Sequence, residues 1–389
     1  MFPTLTDLIE YLFHVHILVP IQTFGFFIAL CFFFAYFVFV AELKRKEQEG
    51  LISAFTEKDV VGAPASYLEI ALNGLAGFLF GFKAVGAVIN FATFTVNPIA
   101  FIFSLQGNLV AGLLVGIGFT LWIYTDRKKE QLPQPIVVER VIHPYQTMAY
   151  LGFILGFWGV IGSKLFSIIE DFHIFLLHPV DVIFSTNGFT YYGGLIFGSI
   201  AWLYINHKRG MKLIHLADIG SPGTMLAYGI GRVGCHLSGD GDWGIVNRHV
   251  KPGWLQWLPD WMWANKFPHN AINAGAHING CFGQHCNILR AGVYPTSFYE
   301  ATICILLFVF MWLIRRHIHT PGLMFYLFLI LNGTERFLIE LIRVTEKYHW
   351  MGLTFTQAEL ICLIIITGGI TGIVYLILTR NKPIRTDLI

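Results

Sequence analysis

Gly231-Arg232-Val233-Gly234-Cys235-His236-Leu237-Ser238-Gly239-Asp240-Gly241-Asp242-Trp243-Gly244 marks the point where a long apolar run turns into polar chain. An arginine near the end of a membrane helix is costly, and it is retained where it has a partner or a ligand. The glycines around it permit sharp turns or a close approach of backbone to a bound molecule. Two aspartates then emerge beside Trp243, a residue suited to the lipid headgroup zone. The stretch reads as a site for an anionic lipid headgroup.

Composition supplies the setting. Of 389 residues, 55% are hydrophobic and 13% charged, and the mean hydropathy is positive. This is the balance of a polytopic membrane protein rather than a soluble domain. The net charge of +2 arises from short basic clusters between apolar runs, so nucleic acid is not expected as a partner. The first apolar run follows a polar start and is too long for the core of a cleavable signal peptide, so none is expected. A helix needs about 20 apolar residues to cross a bilayer. About nine runs qualify, near 17–41, 66–93, 98–124, 146–170, 188–206, 216–236, 296–314, 321–343 and 357–379. The predicted fold is all-α: a polytopic transmembrane helix bundle, one integral membrane domain over 1–389, without internal repeats.

Orientation follows from the basic clusters. Lys44-Arg45-Lys46, Arg127-Lys128-Lys129, Lys208-Arg209 with Lys212, Arg315-Arg316, and Arg380 with Lys382 and Arg385 all fall on one side of such a bundle. That side is expected to be cytoplasmic, which places the N-terminus outside and the C-terminus in the cytoplasm. Segment 125–145, charged and then Pro-containing, becomes a cytoplasmic linker, and 237–295 an extracytoplasmic loop region between spans six and seven. Trp243, Trp254, Trp257, Trp261 and Trp263 lie in that loop. They fit either a segment lying along the membrane surface or a compact loop packed on itself.

With this topology the ionisable residues gather at one depth. Arg232 falls near the outer end of the sixth span, Tyr191 and Tyr192 near the outer start of the fifth, and Glu300 near the outer start of the seventh. Arg336, Glu340 and Arg343 fall in the outer half of the eighth, where spacings of four and seven put them on one helix face. A lipid-embedded face so charged must point into the bundle or a wet cavity. Guanidinium forks bind phosphate bidentately, so the set suits an anionic headgroup; the alternative is a structural ion-pair network at the bundle edge. Lys164 reads as a snorkelling side chain. Glu69 and Lys83, about 21 Å apart along a helix, cannot pair with each other.

In order and spacing these residues resemble the prolipoprotein diacylglyceryl transferases, bacterial inner-membrane enzymes. The resemblance runs from Gly193-Gly194-Leu195-Ile196 through the Gly231-to-Gly244 signature and Pro295-Thr296-Ser297-Phe298-Tyr299-Glu300 to Arg336-Phe337-Leu338-Ile339-Glu340-Leu341-Ile342-Arg343. It covers roughly residues 145–380, plus the first span with Thr23-Phe24-Gly25, and leaves 66–124 as an added pair of spans. It implies transfer of the diacylglyceryl group of phosphatidylglycerol to the lipobox cysteine thiol of a prolipoprotein, with release of glycerol phosphate. The implied partners are phosphatidylglycerol, prolipoprotein lipobox peptides and membrane lipids, in the bacterial cytoplasmic (inner) membrane, with neither cofactor nor metal. Two other readings stand beside it: a paralogue with another acceptor or no activity, and a non-catalytic anionic-lipid binder or transporter.

Such a reaction needs a base for a thiol of ordinary pKa about 8.5, cations for the departing phosphate, and an orienting pocket open to lipid. The resemblance implies that Arg232 contacts the lipid phosphate and that Arg336 stabilises the leaving phosphate. Asp240 takes the place of the signature's glutamate, Gly193, Gly194 and Gly244 match substrate-site glycines, and Glu300, Glu340 and Arg343 match positions that orient the arginines. Three positions depart from the pattern. Tyr192 stands where the family often has a histidine proposed as the thiol's base, and a phenol of ordinary pKa about 10 accepts protons poorly. Phe24 replaces a tyrosine, and Cys235 an asparagine. His236 is a second candidate base, since imidazole titrates near neutrality, or else a structural interfacial histidine.

Cys31, Cys304 and Cys362 read as small apolar packers inside spans. Cys281 and Cys286, close to His277 and His285, leave open a disulfide, free thiols, or a metal site of non-standard spacing.

Overall fold

The computed structural model describes residues 1–380 apart from 20, 97, 186, 187, 189, 346, 351 and 352. Lys382 and Arg385 of the last basic cluster lie outside the described residues, as does the side chain of Arg380. The helices are α1 (Leu5–Phe13), α2 (Thr23–Gln48), α3 (Tyr67–Ile89), α4 (Phe91–Val96), α5 (Pro98–Phe103), α6 (Leu109–Glu130) and α7 (Met148–Glu170). They continue as α8 (Phe172–Leu177), α9 (Pro179–Phe184), α10 (Tyr191–Lys208), α11 (Leu213–Ser238), α12 (Thr296–Ile314), α13 (Leu323–Glu340) and α14 (Gln357–Arg380). Among the described residues six segments are long and apolar enough to cross a membrane: Thr23–Gln48, Tyr67–Ile89, Leu109–Glu130, Pro144–Glu170, Thr296–Ile314 and Gln357–Thr379. The other three expected spans coincide with α10, α11 and α13, of 18, 26 and 18 residues.

Two expectations need correction. The apolar run 98–124 is not one helix: α5 ends at Phe103, and α6 starts only at Leu109, where the Asn108 side chain accepts the Ala111 N–H at 2.9 Å and caps the new helix. The fold is also not purely α. Among the described residues three small antiparallel pairs form, β1 (Phe55–Val61) with β2 (Ile136–Ile142), β3 (Ala276–His277) with β4 (Asn287–Ile288), and β5 (Tyr348–Trp350) with β6 (Leu353–Phe355). The first takes up part of the 125–145 segment. Its register sets Glu57 opposite Arg140 and Lys58 opposite Glu139, and such opposed charges favour one alignment.

Between the β1 and β2 strands, α3 and α6 pack closely on each other. A Cβ on Gly81 would lie 2.7 Å from the Ala111 carbonyl oxygen, and one on Gly86 2.6 Å from the Gly107 Cα. Without a hydrophobic drive between lipid-embedded helices, small residues that let backbones approach carry such packing. The charges here have local partners. Glu69 pairs with Arg127 at 2.7 Å, and the Lys83 ammonium donates to the carbonyls of Phe101 and Gln106 at 2.8 and 2.9 Å, closing the break before α6.

Ion pairs and hydrogen bonds sort many of the helix ends into two groups. At one end Arg315 meets Glu42 at 2.7 Å, His143 meets Glu47 at 2.7 Å, and Arg209 donates to Thr147 at 3.2 Å. The clusters around Lys44–Lys46, Lys208–Arg209 and Arg315–Arg316 therefore meet there. The buried core of Leu43, Leu151, Trp202, Leu216 and Ile219 lies beside them. Asp218 of α11 also belongs to this end. Its carboxylate accepts the N–H groups of Gly322 and Phe325 at 2.7 and 3.0 Å and so caps α13. At the opposite end Arg232, Glu300, Arg336 and Arg343 converge.

The 237–295 segment folds on itself at that second end. Phe267 is 1% exposed, and the Asn270 side chain donates to the carbonyls of Phe267, Ala274 and Asn287. Trp254 and Trp257 face outward, 76% and 78% exposed. Cys281 and Cys286 form a disulfide, which settles which of their three states the structure holds and removes both thiols from any metal-ligand set.

Helices α7 and α10 cross at a pair of glycines. A Cβ on Gly193 would lie 2.2 Å from the Gly162 carbonyl oxygen, whereas a Cβ on Gly152 of α7 meets nothing within 4 Å. Gly193→Ala is expected to destabilise the fold by about 1–3 kcal/mol through overpacking, and Gly152→Ala to be neutral or stabilising by up to about 1 kcal/mol. Denaturation midpoints in detergent compare the two, and equal midpoints would refute the crossing.

Candidate active site

Arginines entering a bundle need carboxylates, and here the pairing is dense. Arg232, on α11, sets Nε 3.1 Å from Glu300 Oε2, places Nη1 on Asp242, and donates from Nη2 to the Tyr228 hydroxyl at 3.2 Å. Arg336, on α13, reaches Glu300 Oε1 at 2.5 Å and Glu340 Oε2 at 3.0 Å. Arg343, just past the end of α13, meets Asp242 and lies 3.9 Å from Glu300. Three guanidiniums thus face three carboxylates drawn from two helices and a loop. Glu300 sits at the centre, with 0% exposure, and also accepts from Tyr228 at 3.0 Å.

The local backbone explains how these side chains converge. Gly239 ends α11 in the left-handed region, and Gly241 follows at φ +102°. Together they turn the chain so that Asp242 points back at Arg232 on the preceding helix. Gly244 then bridges Arg343 as an isolated antiparallel pair, with the Ile245 N–H donating to the Ile342 carbonyl at 2.8 Å. A Cβ at Gly244 would lie 2.5 Å from that carbonyl, so the glycine permits the contact that fixes Arg343. Thr345 donates to Glu340 at 2.6 Å and holds the carboxylate that faces Arg336.

Of the expected site residues, Arg232, Glu300, Arg336, Glu340 and Arg343 form this one network. Tyr192 borders it, with Arg336, Glu340 and Arg232 as charged neighbours, and the adjacent Tyr191 ring lies 5.3 Å from that of Tyr228. Asp240 is beside the network rather than in it: its Oδ1 accepts the Asp242 N–H at 3.3 Å. Gly193 and Gly194 are at the α7–α10 crossing, where a Cβ on Gly194 would lie 2.5 Å from Ser163 Oγ; their visible role is packing. His236 lies apart. It is buried among the rings of Trp261, Phe267 and Phe298, with Ser297 Oγ 3.5 Å away, and among the described residues no hydrogen bond or ion pair links it to the arginines. Phe24 packs its backbone near Gly234, which seats α2 against the signature helix.

Two members of the site, Asp242 and Tyr228, escaped the sequence reading, as did Glu335, a buried neighbour outside the ion-pair network. Asp242 stands two residues after Asp240, and only the turn between them decides which one meets the arginines. Tyr228 is one helical turn before Arg232, a spacing that could have revealed it. Glu335 precedes Arg336 and is buried within the same helix group.

The two loop aspartates are pulled apart electrostatically. Burial alone would raise Asp242, but Arg232 and Arg343 outweigh it and hold that carboxyl below its ordinary range. Asp240 is pushed up to about 6 by burial and then by the charge of Asp242. A carboxyl whose folded-state value stands above its unfolded one weakens the fold as pH rises through the folded value. Asp240→Asn should therefore melt higher than the native protein at about pH 8, with a gap that narrows through about pH 6 and closes below about pH 4. A gap independent of pH in detergent melting curves would contradict this.

A family model described as prolipoprotein diacylglyceryl transferase matches residues 102–375, a stretch that takes in α6 but begins after α3. A phosphatidylglycerol--prolipoprotein diacylglyceryl transferase of Streptococcus agalactiae serotype Ia is 30% identical over 219 residues, covering 56% of this chain and 74% of the relative. Its counterpart in Dehalococcoides mccartyi is 28% identical over 220 residues, covering 56% and 72%. A counterpart in Staphylococcus aureus strain Newman is 25% identical over 305 residues, covering 78% and 96%. The family match spans the helices that carry every arginine of the cluster, and the chain belongs to the prolipoprotein diacylglyceryl transferase family.

Proposed function

We propose that this chain transfers the diacylglyceryl group of phosphatidylglycerol to the lipobox cysteine thiol of prolipoproteins and releases glycerol phosphate. The observation that carries this reading is the gathering of Arg232, Arg336 and Arg343 around Glu300 at one end of the bundle. On this reading the nine long helices among the described residues all cross the bacterial inner membrane. A helix of 18 residues rises about 27 Å, close to the hydrocarbon thickness, so α10, α11 and α13 are long enough to cross. The end where the basic clusters meet is cytoplasmic, so the arginine cluster and the 237–295 loop face the outer leaflet.

The reaction forms a carbon–sulfur bond and breaks a carbon–oxygen bond. The thiol gives its proton to a base, and the thiolate attacks the glycerol carbon that bears the phosphate ester. The electron pair of the broken bond leaves on the phosphate oxygen, turning a diester into a monoester with one more ionisable oxygen. Arg232 and Arg336 bind and stabilise that phosphate. Arg336 Nε and Arg343 Nη1 are buried and have no hydrogen-bond acceptor among the described residues, so both have N–H groups to offer it. Asp242 bridges Arg232 and Arg343 with its two oxygens, as two phosphate oxygens would, and being on a loop it can yield its place. Tyr192 is better placed than His236 to take the thiol's proton, because it borders the network while His236 is enclosed by aromatic rings; it does so as its phenolate, since a neutral phenol is a poor acceptor.

Reconstituted protein given phosphatidylglycerol and a lipobox peptide should yield the thioether peptide and glycerol phosphate, followed by mass spectrometry. Arg232→Ala and Arg336→Ala should each lose about 10²–10³ in rate, the usual cost of removing a donor to developing charge. No product from the well-folded native chain would sink the transferase reading. Tyr192→Phe should lose about 10²–10⁴, and Tyr192→His should retain activity. An active Tyr192→Phe would remove Tyr192 from the base role and leave the arginines' role intact.

A further inference from the structure

The arginine cluster is matched charge for charge by Asp242, Glu300 and Glu340, yet a fourth carboxyl lies against it. Glu335, on α13, is 4% exposed. Neither of its oxygens has a nitrogen or oxygen donor among the described residues; its polar neighbour is the Cys304 thiol of α12. The titratable and charged groups around it come from every helix packed on α13. They are Tyr228 and Arg232 of α11, Glu300 and Cys304 of α12, Cys362 of α14, and Arg336 of its own helix. Both cations already face carboxylates, so an ionised Glu335 would be an unpaired charge in a buried place, which a protein avoids by keeping the group neutral. It would also add one negative charge beside the place where a phosphodiester must bind.

We propose that the site accepts its phosphodiester headgroup only while Glu335 is protonated, so that this carboxyl sets the alkaline limit of the reaction. The inference rests on the transferase reading above. Glu335 is a positioning residue in this scheme and does not touch the substrate. Its neutral form leaves the cluster balanced, ready for an incoming phosphate monoanion and for the charge that grows as glycerol phosphate departs. Its ionised form leaves the cluster with excess negative charge, and like charges resist close approach in a low-dielectric site. The thiol needs the opposite condition, because its reactive thiolate fraction rises with pH. The two demands give a bell-shaped pH profile.

Initial rates are measured in vesicles of phosphatidylglycerol with a lipobox peptide, across neutral and alkaline pH, for native protein and Glu335→Gln. The native rate should rise and then fall, by about tenfold per pH unit beyond the limit, as for a single ionisation. Glu335→Gln, isosteric and permanently neutral, should lose the fall and keep the rise. A variant with the native alkaline fall, or a native profile without any fall, overturns the proposal. Infrared spectroscopy covers the case in which the variant does not fold. Native protein at neutral pH should show the carbonyl stretch of a buried protonated carboxylic acid that disappears on alkaline titration, and its absence overturns the proposal. If native protein makes no product at any pH, the transferase reading fails, while the infrared band still decides the protonation of Glu335.

Discussion

Glu300 is the contact on which the arrangement of the site depends. Its carboxylate is fully buried and holds Arg232 of α11 on one oxygen and Arg336 of α13 on the other, with Arg343 3.9 Å away. Apolar faces in lipid give little preference for one helix rotation over another. A buried carboxylate facing guanidiniums on two other helices does, because any other rotation leaves a charge unpaired. Removing one partner of such a pair typically costs 3–5 kcal/mol, far more than a misplaced apolar side chain at the surface of a bundle. Glu300 therefore fixes how α11, α12 and α13 turn toward one another.

Rotation alone would not place the arginines at one depth. That is set at the opposite end, where Asp218 of α11 caps α13 through the N–H groups of Gly322 and Phe325. Both helices run from this cap toward the site. From Asp218 to Arg232 and from Gly322 to Arg336 the chain advances by the same number of residues, about 21 Å of helix in each case. Equal lengths measured from a common pin bring the two guanidiniums level. The cap also explains an aspartate in the middle of an apolar stretch that has no partner in the arginine–carboxylate network.

These two constraints account for what could be read in the sequence and what could not. Arg232, Glu300, Arg336, Glu340 and Arg343 stood out because charge in an apolar run is anomalous, and anomalous charges in a membrane must find one another. Asp242 did not, although it lies in the same quoted stretch, because the choice between it and Asp240 is made by the left-handed glycines of the turn. Gly193 and Gly194 were visible as a motif, but a glycine needed for packing looks the same in sequence as one needed for a ligand. The β1–β2 pair joins segments separated by two long helices, and its charged strands show no clean alternation. The false start of the third span at 98 has a similar cause: α5 and α6 are both apolar, and the break between them depends on Asn108 and Lys83, which a hydropathy pattern averages away.

The balance of three guanidiniums against three carboxylates also bears on how such a site survives in a membrane. Three unpaired arginines near the hydrocarbon boundary would be prohibitively costly, so the helices could not assemble with the site empty. Supplying carboxylates solves assembly but risks closing the site to anions altogether. The origin of the carboxylates resolves the conflict. Glu300 and Glu340 come from helices and cannot leave, and they hold the guanidinium planes in place. Asp242 comes from a loop turned by two glycines and bridges Arg232 and Arg343 alone. A phosphate that displaced it would meet arginines already oriented by groups that stay behind. This preorganisation keeps the cost of rearrangement low when charge develops.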